Sequence, residues 1–263
     1  MSERKISIHE DLESLSRAAA ETFLDLSVRA VRAKGSFSAV LSGGATPRTL
    51  YGLLAAPPFK EKIPWRDTDL FWGDERCVPP DHPESNYRMA EEAFLSRVPI
   101  PPENVHRMRG ELDPAEGAKR YEDEIRGFFK GKGGEGGGAL PVFDLVILGL
   151  GEDGHTLSLF PSTAAPDTSP GTSHGKSERL VVGSRVEKPG GHRLTMTLPL
   201  VNNASNVLFL VSGAGKAGVL KEVLEAPPRP ELYPAEGVNP VKGGLIWLVD
   251  KAAAGFLTKI KET

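Results

Sequence analysis

The chain has 263 residues and a net charge of −3, with 32 basic and 35 acidic side chains interspersed. That balance excludes the basic footprint of a nucleic-acid binder, and 39% hydrophobic with 25% charged residues is ordinary for a globular chain that buries roughly 75% of its unfolded surface. The single cysteine rules out an intrachain disulfide, no apolar run spans a bilayer, and MSERKISIHEDLESL has no apolar signal core, so a cytoplasmic protein with no membrane partner is expected.

The first predicted element is a helix over 11–34, with apolar residues at Leu12, Leu15, Ala19, Phe23, Leu26 and Ala30 and a stop at Gly35. A strand follows at 37–41 and runs into Ser42-Gly43-Gly44-Ala45-Thr46-Pro47, where a second helix starts. Thr46 suits its N-cap, and Pro47 its first position, where a missing N–H costs nothing. The next strand, 69–72, ends in Gly73-Asp74-Glu75-Arg76. Helices are expected at 86–98 and 114–130, with a short strand between them at 104–108. Residues 131–138, GKGGEGGG, read as a flexible surface loop within one domain that spans 1–263.

Phe143 to Pro161, FDLVILGLGEDGHTLSLFP, is the stretch around which the rest is arranged. Its apolar run suits a strand buried on both faces of a parallel sheet. Gly149 and Gly151 end that strand, at the edge where open α/β sheets bind ligands. Glu152, Asp153 and His155 then bring acid and imidazole groups to that edge. Further strands are expected at 180–186, 193–196 and 206–211, the last feeding Ser212-Gly213-Ala214-Gly215-Lys216 and a helix through 225. A proline-rich loop, a strand at 245–249 and a C-terminal helix complete the chain. Strands alternating with helices predict an α/β fold: a doubly wound, mainly parallel sheet with helices on both faces.

Several motifs compete for the chemistry. Gly149, Gly151 and Gly154 spell G-x-G-x-x-G, but the expected acid at the end of the next strand is missing, so a dinucleotide site is rejected. Gly171 to Gly175 spells a nucleophile elbow without the strand and helix that an elbow needs. Cys77, beside Arg76, reads as a passive filler in preference to an activated thiolate. The remaining histidines show no metal-ligand spacing. By contrast, the Ser42 to Pro47 turn offers free N–H groups and a hydroxyl at a helix N-terminus, which favours a phosphate site over an ordinary cap. Lys216 repeats that arrangement and adds a charge. Asp74, Glu75 and Arg76 read either as a solvated turn or as a third strand-end loop converging on the same crevice.

SGGATPRTL (42–50), WGDER (72–76), SNYRMA (85–90) and GLGEDGHTLSLFP (149–161) together resemble the 6-phosphogluconolactonases. HRLTMTLPL, the lysine loop and VKGGLIWLVDKAAA are in keeping, so the resemblance covers nearly the whole chain. It implies a Rossmann-like fold shared with glucosamine-6-phosphate deaminases and ribose-5-phosphate isomerases. It also implies hydrolysis of 6-phosphoglucono-1,5-lactone, a small sugar-phosphate partner, with no metal and no cofactor. By motif, Gly43, Gly44, Thr46 and Lys216, with Ser42 in the same turn, would hold the phosphate. Arg76 and Arg193 would contact the substrate, and His155 would be the catalytic base. Asp153 either orients His155 or caps the turn. The expected assembly is a monomer or weak homodimer. Leu194 and the 131–138 loop depart from the family pattern without touching this chemistry. The rivals are an isomerase or deaminase, which Asp74 and His155 would also suit, and a non-catalytic sugar-phosphate sensor. Against the deaminase, Phe160 stands where the resembling enzymes carry a glutamate.

Overall fold

A computed structural model describes residues 4–131, 140–161, 179–185 and 191–259. The chain runs β1 (Arg4–His9), α1 (Leu12–Lys34), β2 (Phe37–Leu41), α2 (Ala45–Leu54), α3 (Phe59–Lys62), β3 (Thr68–Trp72) and β4 (Asp74–Arg76). It continues through α4 (Asn86–Ala93), β5 (Val105–His106), α5 (Pro114–Gly131), β6 (Leu145–Gly149), β7 (Val181–Arg185) and β8 (His192–Met196). The last elements are α6 (Leu198–Val201), β9 (Asn206–Val211), α7 (Ala217–Glu225), β10 (Gly244–Asp250) and α8 (Lys251–Ala254). Most of the glycine loop and the whole of the Gly171–Gly175 motif lie outside the described residues.

Seven strands form one sheet in the order β1-β10-β9-β6-β2-β3-β5, and every pairing in it is parallel. All five residues of β2 and of β3 are buried, as are the first four of β6 and the last five of β9. Strands buried on successive residues must be covered on both faces, which the flanking helices do. Helix α1 is set by its sequence as expected. The Asp11 side chain accepts from the Ser14 N–H at 2.8 Å, and Gly35 closes the helix at φ 77°. Among the described residues, no helix is long and apolar enough to cross a membrane.

Strand order reverses between β2 and β6. From β2 the sheet runs outward through β3 and β5, and from β6 outward through β9, β10 and β1. The loops that leave the carboxyl ends of these two adjacent strands therefore part to opposite sides and open a crevice, the usual ligand position in such sheets.

Three expectations need correction. The strands expected at 180–186, of which 186 lies outside the described residues, and at 193–196 do not extend the parallel sheet. They form β7 and β8, which pair antiparallel with β4 in a separate three-stranded sheet. Strand β1 was not anticipated: its pattern is half-exposed and it sits at the sheet edge, pairing on one side with β10. Helix α2 begins two residues earlier than the Thr46-Pro47 pair suggested. Gly44 is its N-cap at φ 106°, so Thr46 and Pro47 fall inside the first turn, where N–H groups have no helical partner in any case.

Candidate active site

The crevice is a cavity of about 450 Å³ lined by loops from four strand ends. Nine of the ten side chains and backbone positions singled out above line it: Ser42, Gly43, Gly44, Thr46, Asp74, Arg76, His155, Arg193 and Lys216. The tenth, Asp153, touches it through His155.

The loop after β2 is held at its root. The Tyr51 hydroxyl, fully buried on α2, accepts from the Ser42 N–H at 3.0 Å and donates to the Ser42 carbonyl at 2.8 Å. Gly44 then turns the chain into α2 with no side-chain cap, which leaves first-turn N–H groups facing the cavity wall. Across the cavity, the loop after β9 is fixed by Asp250. Its carboxylate accepts from the Ser212 hydroxyl at 2.5 Å, from the Gly213 N–H and from the Ala253 N–H. Lys216 follows on that anchored turn, at the N-cap of α7.

The Asp74–Arg76 segment is no solvated turn. Asp74 is 8% exposed and Glu75 only 2%. Glu75 accepts from the N–H groups of Arg76, Asn86 and Tyr87 at 2.7–2.8 Å and from the Ser85 hydroxyl at 3.0 Å. Burial pushes its pKa up, and those hydrogen bonds only partly offset the burial. It caps α4 and is structural. Asp74 accepts from the Ser158 hydroxyl at 2.6 Å, while the Asn86 amide donates to the Asp74 carbonyl at 3.0 Å. Both of the Asp74 carboxylate oxygens therefore have neighbours, Ser158 on one and Asn86 at 3.4 Å from the other. Arg193 is buried beside Arg76, and desolvation followed by that like charge lowers its pKa. Two arginines crowded at one wall favour an anion between them.

His155 is fixed on three sides. Its Nδ1 lies 2.5 Å from Asp153 Oδ1, and its backbone N–H donates to the same oxygen at 3.1 Å. Asp153 therefore both caps the turn and orients the ring. Phe160 stacks on the imidazole, with centroids 4.4 Å apart and 30° between planes. Beneath it lies Gly151, where a side-chain carbon would come within 2.0 Å of His155 Nδ1 and 2.6 Å of Asp153 Oδ1. Burial raises the Asp153 pKa, but the hydrogen bonds from the His155 N–H and ring outweigh it and hold the carboxyl below its ordinary value. An ionised carboxylate only accepts, so Nδ1 must carry the proton of the neutral imidazole. Nε2 is left as the basic nitrogen of a side chain that lines the cavity.

Asn86 and Ser158 are the residues that sequence reasoning passed over. Asn86 lay inside the quoted SNYRMA motif, and Ser158 inside DGHTLSLFP, but nothing local signals that they converge on Asp74. Cys77 lies outside the cavity wall, and burial pushes its thiol up to about 11, the pull of Arg193 notwithstanding. His192 is exposed and also outside that wall. Among the described residues, no group of three or more His, Cys, Asp or Glu side chains is placed to hold a metal ion.

The chain is similar to known proteins over most of its length. A 6-phosphogluconolactonase of Synechocystis sp. is 43% identical over 230 residues, 86% of each chain. One from Haemophilus influenzae is 38% identical over 217 residues, 82% of this chain and 86% of that one. The crystal structure of 6-phosphogluconolactonase from Thermotoga maritima superposes with a TM-score of 0.77 at 31% identity, covering 95% of this chain and 100% of that one. The family model described as glucosamine-6-phosphate isomerases/6-phosphogluconolactonase matches residues 10–247, and the chain belongs to that family.

Proposed function

We propose that this protein hydrolyses 6-phosphoglucono-1,5-lactone to 6-phosphogluconate, the lactone-opening step of the oxidative pentose phosphate pathway, with His155 as general base. The observation that carries the reading is the Asp153–His155 pair, whose ionised carboxylate leaves Nε2 as a proton acceptor in the cavity that Gly43, Gly44 and Lys216 also line. Relatives named as lactonases at 38–43% identity support the same substrate.

The phosphate end of the substrate is held by the N–H groups of the Gly43–Thr46 turn and by Lys216, because both sit at helix starts, at the ends of the two strands that flank β6. That anchorage sets the lactone carbonyl near His155 and the arginines. Water adds to C1 as Nε2 takes its proton, a step worth about 10²–10⁴-fold. Negative charge grows on the carbonyl oxygen, where a cation such as Arg76 stabilises it by roughly 3 kcal/mol. The tetrahedral intermediate collapses by breaking the C1–ring-oxygen bond, and the imidazolium returns its proton to the departing oxygen. The product carboxylic acid then ionises. Asp74, already engaged with Ser158, lies at the arginine wall beside Arg193.

The deaminase and isomerase reading is not favoured. Phe160, stacked on His155, fills a place where those enzymes would need a carboxylate to shuttle a proton. A pH-stat assay on freshly made lactone, corrected for spontaneous opening, tests the proposal. It predicts acid release well above the uncatalysed rate and no ammonia from glucosamine 6-phosphate above background. Enzyme-like ammonia release with uncatalysed lactone opening would overturn it.

A further inference from the structure

Residues 229–238 join α7 to β10 and contribute nothing to the cavity wall, yet they are closely braced. The N–H groups of Leu232 and Tyr233 donate to the Arg229 carbonyl at 2.8 and 2.9 Å, and the Glu236 N–H to the Tyr233 carbonyl at 2.9 Å. The Arg229 N–H donates to the Glu236 carboxylate. The Arg229 guanidinium lies 5.2 Å from the centre of the Tyr233 ring and pairs with Glu222 on α7. A loop that only connected two elements would need none of this rigidity.

Besides the Glu222 pair and an Asn202 amide that donates to the Gly237 carbonyl at 2.9 Å, two contacts leave the segment for the turn that carries His155. The Ala235 N–H donates to the Gly154 carbonyl at 3.1 Å. Tyr233 lies so close over Gly154 that a side-chain carbon there would come within 2.5 Å of its ring and 3.2 Å of its own α-carbon. Gly154 also has φ 83°, a conformation that favours glycine. The gripped carbonyl belongs to the peptide whose nitrogen is that of His155, and that N–H donates to Asp153. Holding the carbonyl therefore holds the peptide plane from which the imidazole projects. At its other end, Arg229 ties the segment to the helix that starts at Lys216.

We propose that residues 229–238 form a positioning strap for His155, with Tyr233 and Ala235 as its contact residues on Gly154. The strap tethers the histidine turn to the helix that presents Lys216, so the phosphate anchor and the base keep a fixed separation. This rests on the lactonase reading of the cavity. Tyr233 and Ala235 act through Gly154 and touch no substrate.

The test compares Tyr233→Ala, Tyr233→Phe and Ala235→Pro, the last of which deletes the N–H that donates to Gly154. Misplacement of a reacting group by about 1 Å costs on the order of 100-fold. The Ala and Pro variants should lose about 10–100-fold in kcat with KM within about twofold of the parent, while Tyr233→Phe, which keeps the ring, should restore kcat. The Nδ1–H proton resonance of His155, assigned by its loss in His155→Gln, should shift or broaden in Tyr233→Ala and persist in Tyr233→Phe. Should Tyr233→Ala fail to fold, Tyr233→Leu and Ala235→Pro carry the comparison. Folded variants with parental kcat and an unmoved resonance overturn the strap, as does a raised KM at constant kcat. A parent protein that opens no lactone refutes the lactonase reading alone, and the resonance then decides the strap.

Discussion

Gly151→Ala separates catalytic geometry from stability at a single atom. No positive φ is required at this position, so the backbone accepts alanine. The new methyl carbon, however, would sit 2.0 Å from His155 Nδ1, where ordinary contact begins beyond about 3.4 Å. The imidazole must retreat by more than an ångström, and its 2.5 Å hydrogen bond to Asp153 cannot survive that move. Because the ring is the mobile end of a side chain that is 32% exposed, the retreat is cheap for the fold. One off-rotamer torsion or one lost hydrogen bond costs about 1 kcal/mol, which lowers Tm by roughly 2–4 °C. The catalytic cost is larger. A base displaced by about 1 Å loses on the order of 100-fold, or about 2.7 kcal/mol of barrier. Parallel thermal melting and pH-stat kinetics read the two effects separately. A folded Gly151→Ala protein within threefold of the parental kcat would refute the reasoning, as would activity lost only in step with folded protein.

The other expectations are equally direct. Lys216→Ala removes a cation from a turn anchored by Asp250 and should lower kcat/KM about 10–100-fold through both KM and kcat, because remote binding energy positions the lactone. Unchanged steady-state kinetics would remove Lys216 from the phosphate site. His106 lies between Asp69 and Glu124, with ring nitrogens 3.2 and 2.9 Å from their oxygens. Burial opposes its charge, but the two carboxylates outweigh it and raise its pKa above the ordinary 6.5. Its contribution to stability is thus full below about pH 6.5 and is lost as pH rises through the raised folded value. His106→Gln should flatten that part of the pH dependence of Tm, and parallel curves for variant and parent would contradict the assignment. Cys77, with its thiol pushed up to about 11, should react slowly with iodoacetamide at pH 8, and Cys77→Ala should turn over like the parent. Rapid alkylation that abolishes turnover would reverse that reading.

The central sheet was legible because its strands are buried on both faces, so FSAVL, DLFW, LVILG and NVLFLV stand out as mainly apolar runs. Strand β4 was not legible as a strand. DER is polar by composition, and Glu75 can be buried because it finds the N–H groups at the start of α4, eleven and twelve residues further on. Nor could local sequence show that β7 and β8 would leave the parallel sheet, since antiparallel pairing with β4 is a long-range choice. Within the site, glycine turns at strand ends pointed to the cavity, and nine of the ten residues chosen line it. Whether Asp153 caps or orients was open in the sequence because both roles use the same short spacing. The structure gives it both, through two hydrogen bonds to one oxygen. Tyr233, nearly eighty positions beyond Gly154, left no local signal at all.

The most direct test of His155 as general base is the turnover of His155→Ala on freshly prepared 6-phosphoglucono-1,5-lactone, measured beside 6-phosphogluconate binding and thermal melting. The variant should fold, bind the product through the glycine turn and Lys216, and lose about 10²–10⁴-fold in kcat. Its residual rate is left to orientation and oxyanion contacts. A folded variant that binds the product and keeps near-parental kcat would contradict the account.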